Sequence, residues 1–296
     1  MDFTLTEDQQ AYMEAATAFA NEALKPHAAR WDREHEFPVA TIKEAAALGF
    51  CGLYTPEQYG GLALPRLDAS LVFERLAMGC TSTTAYLTIH NMVSWMLGTW
   101  LPAEVAAEWV PKLASGELLG SYCLTEPGAG SDAASITTRA ERTATGWTLN
   151  GGKYFVSDGL YSDFFIVSAV TDAAARPRHI SLFLVDKSLP GVRVGQDQKM
   201  MGLAGSSHIE LFFDDVHLGP ETLIGGEGNG LRLALTALGR VRLAQVGARA
   251  VGKASRLLGY MADYAGQREQ FGSPIGSFQM VQAMLADSAI EINRSR

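Results

Sequence analysis

The chain carries the stretch Tyr122-Cys-Leu-Thr-Glu-Pro-Gly-Ala-Gly-Ser-Asp132, which distinguishes it from a generic globular sequence. Pro127 restricts its own φ and disfavours a helical conformation at the residue before it. Gly128 and Gly130 permit φ above zero and have no Cβ that would hold a ligand away from the backbone. Ser131 and nearby backbone amides can donate hydrogen bonds to phosphate or carbonyl oxygens. Taken alone, these features favour a tight surface turn leading into a strand, with a ligand-binding turn as the alternative.

The residues after this stretch exclude a dinucleotide-binding Rossmann unit. Gly128-Ala-Gly-Ser-Asp-Ala133 imitates the glycine fingerprint of that fold, which requires a strand before it and a helix directly after it. Here the glycines are followed by Ser135–Glu141, then by Trp147-Thr-Leu149, an Asn150-Gly-Gly152 turn and Lys153-Tyr-Phe-Val-Ser157. Alternating, β-branched sequence around a glycine turn predicts a β-hairpin.

Composition and charge limit the class of protein. The 296 residues include 47% hydrophobic and 19% charged residues, which is typical of a globular protein of one large or two to three small domains. The formal net charge is −8, and because no Lys/Arg-rich segment is present, we expect no nucleic-acid partner. Nor does the N-terminus resemble a signal peptide or any segment reach the length of a membrane span, so no membrane association is expected.

The number and spacing of the cysteines and histidines argue against disulfide bonds and metal-binding sites. Cys51, Cys80 and Cys123 are odd in number and widely spaced, which suits neither a disulfide framework nor a zinc site and favours a reducing, cytoplasmic location. The six histidines lack metal-ligand spacing, and His90 lies in an apolar helical pattern, so we expect it to be a core residue.

The hydrophobic period changes twice along the chain. Thr6 and Gln9 form a capping box for a first helix that ends before Pro26. Further helical patterns cover 39–48, 66–78, 83–100 and 103–113, of which 83–100 is apolar on most sides and is predicted to be buried. Period-2 segments follow at 164–170, 179–185, 192–194 and 209–213, and helical patterns return at 231–264 and 278–294.

This order predicts an α+β protein with segregated domains. We expect an N-terminal all-α domain over residues 1–116, a β-barrel-like middle domain over 117–226 and a C-terminal helical domain over 227–296. Because two helices cannot bury both of their apolar faces, we expect the C-terminal domain to be the first two helices of a bundle of about four that continues past Arg296.

A second motif, Gln267-Arg-Glu-Gln-Phe-Gly-Ser-Pro-Ile275, continues through Phe278-Gln279 to Leu285-Ala-Asp287. Together with the first stretch and the α, β, α order, it makes the whole chain resemble the acyl-CoA dehydrogenase family. Within that family, the segment Phe73–Asn91 is most similar to the isobutyryl-CoA branch.

The resemblance implies an FAD-dependent oxidoreductase that converts a short or α-methyl-branched acyl-CoA into its 2,3-enoyl form, in fatty acid or branched-chain amino acid catabolism. It also implies electron-transfer flavoprotein as acceptor and a homotetramer built as a dimer of dimers. Two alternatives stay open: a non-catalytic or partner-dependent subunit of a heteromeric dehydrogenase, and an enzyme acting on acyl groups bound to a carrier protein.

The resemblance also assigns cofactor residues. One edge of the flavin is expected to lie along Tyr122, Cys123, Leu124 and Thr125, with Gly130 and Ser131 at its phosphate or thioester end. The other edge is expected to lie along Phe155, Val156 and Ser157. The residues expected to reach the adenosine diphosphate half of FAD across a subunit interface are Arg268, Gln270, Phe271, Phe278 and Gln279.

Substrate contacts and the catalytic base are less directly matched. Besides Ser131, the family's substrate-side arginine corresponds to Arg242 when counted forward from Gly230, whereas counting back from Gly252 selects Leu243. One residue is therefore inserted, and Arg240 and Arg242 both stay candidates. No carboxylate lies within 239–243, where some relatives carry their base. The resemblance to the isobutyryl-CoA branch implies instead a base on a loop beyond Arg296, so the chain alone is expected to be inactive.

Two further features are expected to support the site. Glu126 and Asp132 are interpreted as part of the turn's own scaffold and not as catalytic groups. The segment 200–208 is predicted to be a loop that closes against the flavin or the substrate.

Overall fold

The N-terminal domain of the computed structural model is entirely helical. The model describes residues 4–296, so residues 1–3 of the predicted 1–116 domain lie outside the described part. Its helices are α1 (Glu7–Phe19), α2 (Ala28–Glu34), α3 (Val39–Ala47), α4 (Arg66–Gly79), α5 (Thr81–Trp100) and α6 (Ala103–Ala114). The predicted capping box is confirmed, because Thr6 Oγ1 accepts from the Gln9 amide at 3.2 Å while the Gln9 side chain accepts from the Thr6 amide at 3.1 Å.

Helix α5 is the central helix of this domain. Fifteen of its twenty residues are buried, which confirms the prediction from its apolar pattern. Its polar side chains are satisfied locally: Asn91 accepts from the Leu53 amide and donates to the Phe50 and Leu87 carbonyls. His90 is fully buried with Nε2 at 2.9 Å from the Leu113 carbonyl oxygen, and burial lowers its pKa to about 4. It is the core histidine that the sequence predicts.

The middle domain is one eight-stranded sheet. Its strands are β1 (Gly120–Cys123), β2 (Arg139–Thr143), β3 (Gly146–Ser157), β4 (Phe164–Val170), β5 (Ile180–Asp186), β6 (Val192–Asp197), β7 (His208–Leu218) and β8 (Leu223–Ile224). The strand order is β6-β7-β3-β2-β4-β5-β8, and β1 pairs in parallel with β4. The sheet curls on itself, because inward residues of β4 and β5 share one core with those of β3 and β7.

The predicted turn at Asn150-Gly-Gly152 is wrong. These residues lie inside β3, where the register against β7 shifts between Leu149 and Gly151. Gly151 has φ +138°, and a Cβ there would lie 2.7 Å from the backbone of Thr138. The glycines therefore serve a β-bulge and a close backbone approach, and the chain reverses between Thr143 and Gly146 instead.

The exclusion of a Rossmann unit is confirmed. Between the glycines of the first motif and strand β2 the chain forms only the single 3₁₀ turn Ala133–Ser135. No helix starts at the glycines in this described segment, so the motif lacks the helix N-terminus that binds a pyrophosphate in that fold.

The C-terminal region returns to helix. Helix α7 (Gly230–Ala237) passes through the π-helical turn Leu238–Arg242 into α8 (Leu243–Gln267), and a short hairpin of β9 (Glu269–Gln270) and β10 (Ser273–Pro274) leads to α9 (Gln279–Ser295). Helix α8 packs on α4 and α5 of the first domain. A Cβ on Gly252 would lie 2.1 Å from the Glu74 carbonyl oxygen, so glycine permits this close crossing. Because a π turn holds one residue more than an α turn, it explains the inserted residue between Gly230 and Gly252.

Within residues 4–296, no helix is both long and apolar enough to cross a membrane. The same residues form no group of three or more His, Cys, Asp or Glu side chains that could hold a metal ion.

Candidate functional site

The first motif is anchored by a buried ion pair. Lys153 Nζ lies 2.7 Å from Glu126 Oε1, with the two side chains 0% and 3% exposed. Glu126 also accepts from the amide and hydroxyl of Thr137 at 2.6 and 2.8 Å and from the Thr138 amide at 3.0 Å. Burial alone would raise the pKa of Glu126, but Lys153 and these donors outweigh it and hold the pKa at about 2. The carboxylate is fully bonded, which suits a scaffold and not a catalytic base.

The outer side of the turn is open. A Cβ built on Gly128 or Gly130 would meet no atom within 4 Å, so both glycines face free space. Gly130 and Ser131 are exposed, and Asp132 accepts from the Ser135 hydroxyl at 2.5 Å. A backbone edge without side chains beside an exposed hydroxyl is the kind of surface that a flat, oxygen-rich group can approach.

Strand β3 brings the second predicted segment to the same place. The Tyr154 amide donates to the Thr125 carbonyl at 2.8 Å, so Thr125 contacts β3 one residue before Phe155. Phe155 is 48% exposed and has φ +55°. An exposed aromatic side chain is unfavourable, and so is a left-handed backbone conformation at a phenylalanine. A bound planar group that covers the Phe155 ring would remove its exposure to water. Of its predicted neighbours, Val156 is buried, and the Ser157 carbonyl accepts from Ser121.

The remaining residues of the first motif have defined positions. Tyr122 approaches Ser168 through its hydroxyl at 3.3 Å, and Cys123 is buried with its thiol pKa raised by burial. Leu124 and Thr125 are half-buried. A neutral buried thiol is a small hydrophobic group, as the sequence indicates, and not a nucleophile.

The segment 200–208 leads into β7 and is tied to the end of β3 by Asp158. Asp158 is fully buried and accepts from the Ser206 hydroxyl and the Ser207 amide, both at 2.9 Å. No cation neutralises it among residues 4–296, and burial raises its pKa to about 8 despite these two donors. Met201, at the tip of the segment, is fully exposed. Closure of this loop over a ligand stays a prediction.

The residues assigned to the adenosine diphosphate half of FAD lie elsewhere. The group comprises Arg268, Gln270, Phe271, Phe278 and Gln279, on the β9–β10 hairpin and at the start of α9. Phe271 is 97% exposed and makes an edge contact with Phe278 at 6.2 Å. Arg268 is exposed and forms no ion pair among residues 4–296, and no hydrogen bond in that part joins this group to the first motif. Within one chain, the structure does not unite the two groups.

The two candidate substrate arginines point to different places. Arg242 donates to the Thr88 hydroxyl on α5, and burial, with a smaller effect of nearby Arg249, lowers its pKa to about 10. Arg240 lies over the Trp95 ring at 5.8 Å and lines a cavity of about 640 Å³. Both arginines therefore contact α5, but Arg242 is half-buried whereas Arg240 is exposed.

Two side chains that the sequence reading passed over lie beside Arg242. Gln245 is fully buried and meets the Tyr54 hydroxyl, and Nη1 of Arg249 is buried with no hydrogen-bond partner among residues 4–296. Their spacing gives a signal that could have predicted them, since residues 242, 245 and 249 recur at helical spacing on one side of the π turn and α8.

Comparison with known proteins agrees with this geometry. The models of the acyl-CoA dehydrogenase N-terminal, middle and C-terminal domains match residues 6–117, 121–216 and 228–296. The chain therefore belongs to the acyl-CoA dehydrogenase family, as its motifs predict.

Among its relatives are the mitochondrial isobutyryl-CoA dehydrogenases of Dictyostelium discoideum and Bos taurus, each 40% identical over 99% of this chain and 70% of its own length. A solved glutaryl-CoA dehydrogenase from Mycobacterium smegmatis, in complex with FADH2, superposes with a TM-score of 0.92 at 28% identity, covering 98% of this chain and 74% of the other. The predicted enzyme class and FAD cofactor are confirmed at the level of the family, and a non-catalytic subunit is not favoured. The open, aromatic-edged turn at Thr125 and Phe155 fits a flavin.

Proposed function

We propose that this protein oxidises a short, α-methyl-branched acyl-CoA of the isobutyryl type to the corresponding 2,3-enoyl-CoA. The observation that carries the proposal is the hydrogen bond from Tyr154 to Thr125, which joins the two flavin-edge segments at one exposed aromatic surface. The 40% identity to isobutyryl-CoA dehydrogenases over nearly the whole chain supports the branched acyl group.

In this proposal the chain binds and orients FAD, and FAD supplies the acceptor for the hydride that leaves the acyl β carbon. The residues that would hold the isoalloxazine are Tyr122 to Thr125 and Phe155 to Ser157, with Gly130 and Ser131 nearer the phosphate or thioester. The Phe155 ring excludes water from one edge, and the Thr125 hydroxyl lies within the same edge as a hydrogen-bond donor.

The chain also orients the acyl-CoA. Arg242, held by Thr88, is the preferred substrate-side arginine because it is half-buried against α5, whereas Arg240 is exposed and rests on Trp95. We assign no proton-abstracting base within residues 4–296, since Glu126 is paired with Lys153 and Asp132 is bonded to Ser135.

Assembly and electron transfer follow from the same resemblance. We propose a homotetramer in which Arg268, Gln270, Phe271, Phe278 and Gln279 contact the adenosine diphosphate half of FAD held by a second copy. Phe271 is 97% exposed in the single chain. A large exposed aromatic side chain is typical of a surface that a second subunit covers. Electron-transfer flavoprotein is the proposed acceptor, and three free, buried cysteines fit a reducing cytoplasm.

The substrate proposal is tested by anaerobic titration of the purified full-length flavoprotein with isobutyryl-CoA, butyryl-CoA and isobutyryl linked to an acyl-carrier protein. We expect isobutyryl-CoA to bleach the flavin absorption band fastest, and electron-transfer flavoprotein to restore it faster than air does. Bleaching by the carrier-protein thioester alone would instead identify a carrier-dependent dehydrogenase.

A further inference from the structure

The exposed Phe155 ring lies at a β-bulge near the end of β3. Lys153 pairs with Leu211 of β7 and Val156 pairs with Ile209, so three steps along β3 face two along β7. The extra residue falls beside Phe155, whose φ of +55° lies in the left-handed region. A bulge redirects a side chain relative to the sheet, and that direction is fixed only where the strand is held on both sides of the bulge.

Regular pairing holds β3 only briefly after the bulge. The register with β7 covers two residue pairs before β3 ends at Ser157. The next residue, Asp158, also has a left-handed backbone, with φ +54°, and its amide donates to the Ser207 carbonyl at 2.7 Å. The conformation of the Phe155 edge therefore depends on what anchors Asp158.

The Asp158 side chain supplies an anchor. Its carboxyl is fully buried and accepts from the Ser206 hydroxyl at one oxygen and from the Ser207 amide at the other, each at 2.9 Å. Both donors belong to the segment 200–208, so one side chain joins the end of β3 to that loop. Asp158 with Ser206 and Ser207 is here termed the Asp158 clamp.

The clamp is also connected to the first motif. The Asp158 carbonyl accepts from the Ser162 hydroxyl at 3.0 Å, and Ser162 contacts the hydroxyl of Ser121 at 2.8 Å. Ser121 donates to the Ser157 carbonyl at 2.5 Å and directly precedes Tyr122 in β1. The clamp thus lies where both segments assigned to the flavin meet the clamped loop.

The surroundings of the clamp do not balance a negative charge on Asp158. Lys187, which reaches the same turn, donates to the Leu160 carbonyl at 2.7 Å, and Lys199, which precedes the loop, is exposed. The other titratable groups on the neighbouring elements are neutral or anionic at alkaline pH: Tyr86 on α5, Tyr161 and Asp163 after β3, Asp197 at the end of β6, His208 at the start of β7 and Glu36 between α2 and α3.

Proton binding therefore differs between a closed and an open clamp. Burial raises the pKa of the closed Asp158 carboxyl to about 8, although its two donors lower it, and an exposed aspartate ionises near 3.8. Between these two values the closed clamp keeps a proton that the open clamp has lost. Each pH unit in this window shifts the equilibrium about 10-fold toward the open state.

We propose that the Asp158 clamp positions the Phe155 edge and the 200–208 loop for the flavin, and that loss of the Asp158 proton opens the loop and loosens the flavin site. This inference rests on the proposed flavin site and adds a pH-sensitive element to it. Asp158 acts through the residues that it holds, so it is a positioning residue and not a catalytic one. Asparagine has the same shape, can accept from Ser207 and donate to Ser206, and carries no charge, so it keeps the clamp closed at every pH.

The test measures loop opening and flavin binding separately on the full-length protein at pH 6 and pH 9. Hydrogen exchange of the 200–208 amides in the FAD-free protein, corrected for the intrinsic exchange rate at each pH, reports opening. Equilibrium titration with FAD gives its dissociation constant. Wild type is compared with Asp158→Asn, and Asp172→Asn, at an exposed aspartate after β4, is the matched control.

We expect the corrected loop exchange of the wild type to be roughly 100-fold faster at pH 9 than at pH 6. Its FAD binding should weaken about 10-fold, because apparent affinity falls with the closed fraction. Asp158→Asn should show neither change, and Asp172→Asn should behave as the wild type. Ser206→Ala, which removes one loop donor and keeps the carboxyl, should speed loop exchange about 5- to 10-fold already at pH 6.

Two results would overturn the inference. Equal pH dependence in wild type and Asp158→Asn would show that opening does not depend on this proton. Loop exchange that follows Asp158 while the FAD dissociation constant does not would show that the clamp does not position the flavin site. Should Asp158→Asn not fold, unchanged loop exchange in Ser206→Ala would exclude the clamp.

Failure of the inference is distinguishable from failure of the proposed function. If FAD binds and isobutyryl-CoA bleaches it while the variants behave alike, only the inference fails. If the wild type binds no FAD at either pH, the proposed function and the inference fail together.

Discussion

Two buried cationic sites in this molecule differ in how their charge is balanced. In the middle domain, Lys153 is 0% exposed and meets Glu126 at 2.7 Å, and the carboxylate accepts three further hydrogen bonds. At the start of α8, Arg242 and Arg249 are half-buried and form no ion pair among residues 4–296, and the acceptor of Arg242 is the neutral Thr88 hydroxyl. The first site balances its charge within the chain, whereas the second has no ion-pair partner among residues 4–296.

The difference separates scaffold from recognition surface. A buried charge pair with every lone pair occupied holds one conformation, so it can fix the turn that carries the flavin edge. A buried charge without a partner destabilises the ligand-free fold. A ligand that supplies the counter-charge binds the folded state preferentially and therefore stabilises it. The two sites should therefore respond in opposite directions when their cation is removed.

The largest effect is expected from Lys153→Met. The change leaves Glu126 buried and unpaired, so unfolding free energy measured in urea should fall by about 3–5 kcal/mol. The double variant Lys153→Met/Glu126→Gln should recover part of this loss. Because Glu126 has a pKa of about 2, below its ordinary 4.5, its stabilising contribution is complete above pH 4.5 and is lost as the pH falls toward 2. The stability gap between wild type and Lys153→Met should shrink over that window, and a gap independent of pH would contradict the assignment.

A second, opposite pH dependence is expected at Asp158, a buried carboxyl that no cation neutralises within residues 4–296. Its pKa is raised to about 8 from an ordinary 3.8, so its contribution to stability is complete below pH 3.8 and is lost as the pH rises through 8. Asp158→Asn cannot ionise and should gain roughly 2–4 kcal/mol over wild type at pH 9 but little at pH 4. Thermal unfolding at the two pH values measures this, with exposed Asp172→Asn as the control. Equal shifts at both pH values would show that the carboxyl does not titrate where expected.

For Arg249→Met on helix α8, the expected change in unfolding free energy is small and opposite in sign to that of Lys153→Met. Arg249→Met removes an unpaired buried charge and keeps a similar side-chain length, so the ligand-free protein should be unchanged or stabilised by about 1 kcal/mol. Urea unfolding of this variant beside Lys153→Met makes the contrast direct. A loss comparable to that of Lys153→Met would mean that Arg249 is paired after all.

The smallest effect on the fold is expected from Arg268→Ala. Arg268 is exposed on the hairpin between α8 and α9, so unfolding should change by less than about 0.5 kcal/mol. If its guanidinium contacts the FAD pyrophosphate, flavin retained after gel filtration should fall markedly. Arg294→Ala, an exposed arginine on α9, is the matched control and should keep its flavin. Unchanged flavin content in Arg268→Ala would remove this residue from the cofactor site.

The helices and the α, β, α order of the domains were predictable because their sequence signals are local. The Thr6–Gln9 capping box, the buried pattern of α5 and the exclusion of a Rossmann unit all follow from spacing and turn chemistry, and each is confirmed. The turn at Asn150-Gly-Gly152 failed because glycine is equally suited to a turn and to a bulge, and only the close approach of Thr138 decides between them.

The site was predictable as motifs but not as an arrangement. Neither segment contains a local signal that Thr125 bonds to Tyr154, the residue before Phe155, because the β-sheet sets this contact. The π turn at 238–242 was visible only as a one-residue mismatch. The unpaired arginines at the start of α8, Arg242 and Arg249, were not predicted. Helical periodicity locates the buried side of a helix but does not show which polar residues on it lack partners.

The central claim is that this chain builds a flavin site from the Tyr122–Asp132 turn and the Phe155 edge. The most direct test is the flavin content of the protein after purification and gel filtration in excess FAD, compared with that of Phe155→Ala. We expect a yellow protein with about one FAD per chain, and a weakened retention of flavin in Phe155→Ala. A colourless wild-type protein that takes up no FAD would contradict it.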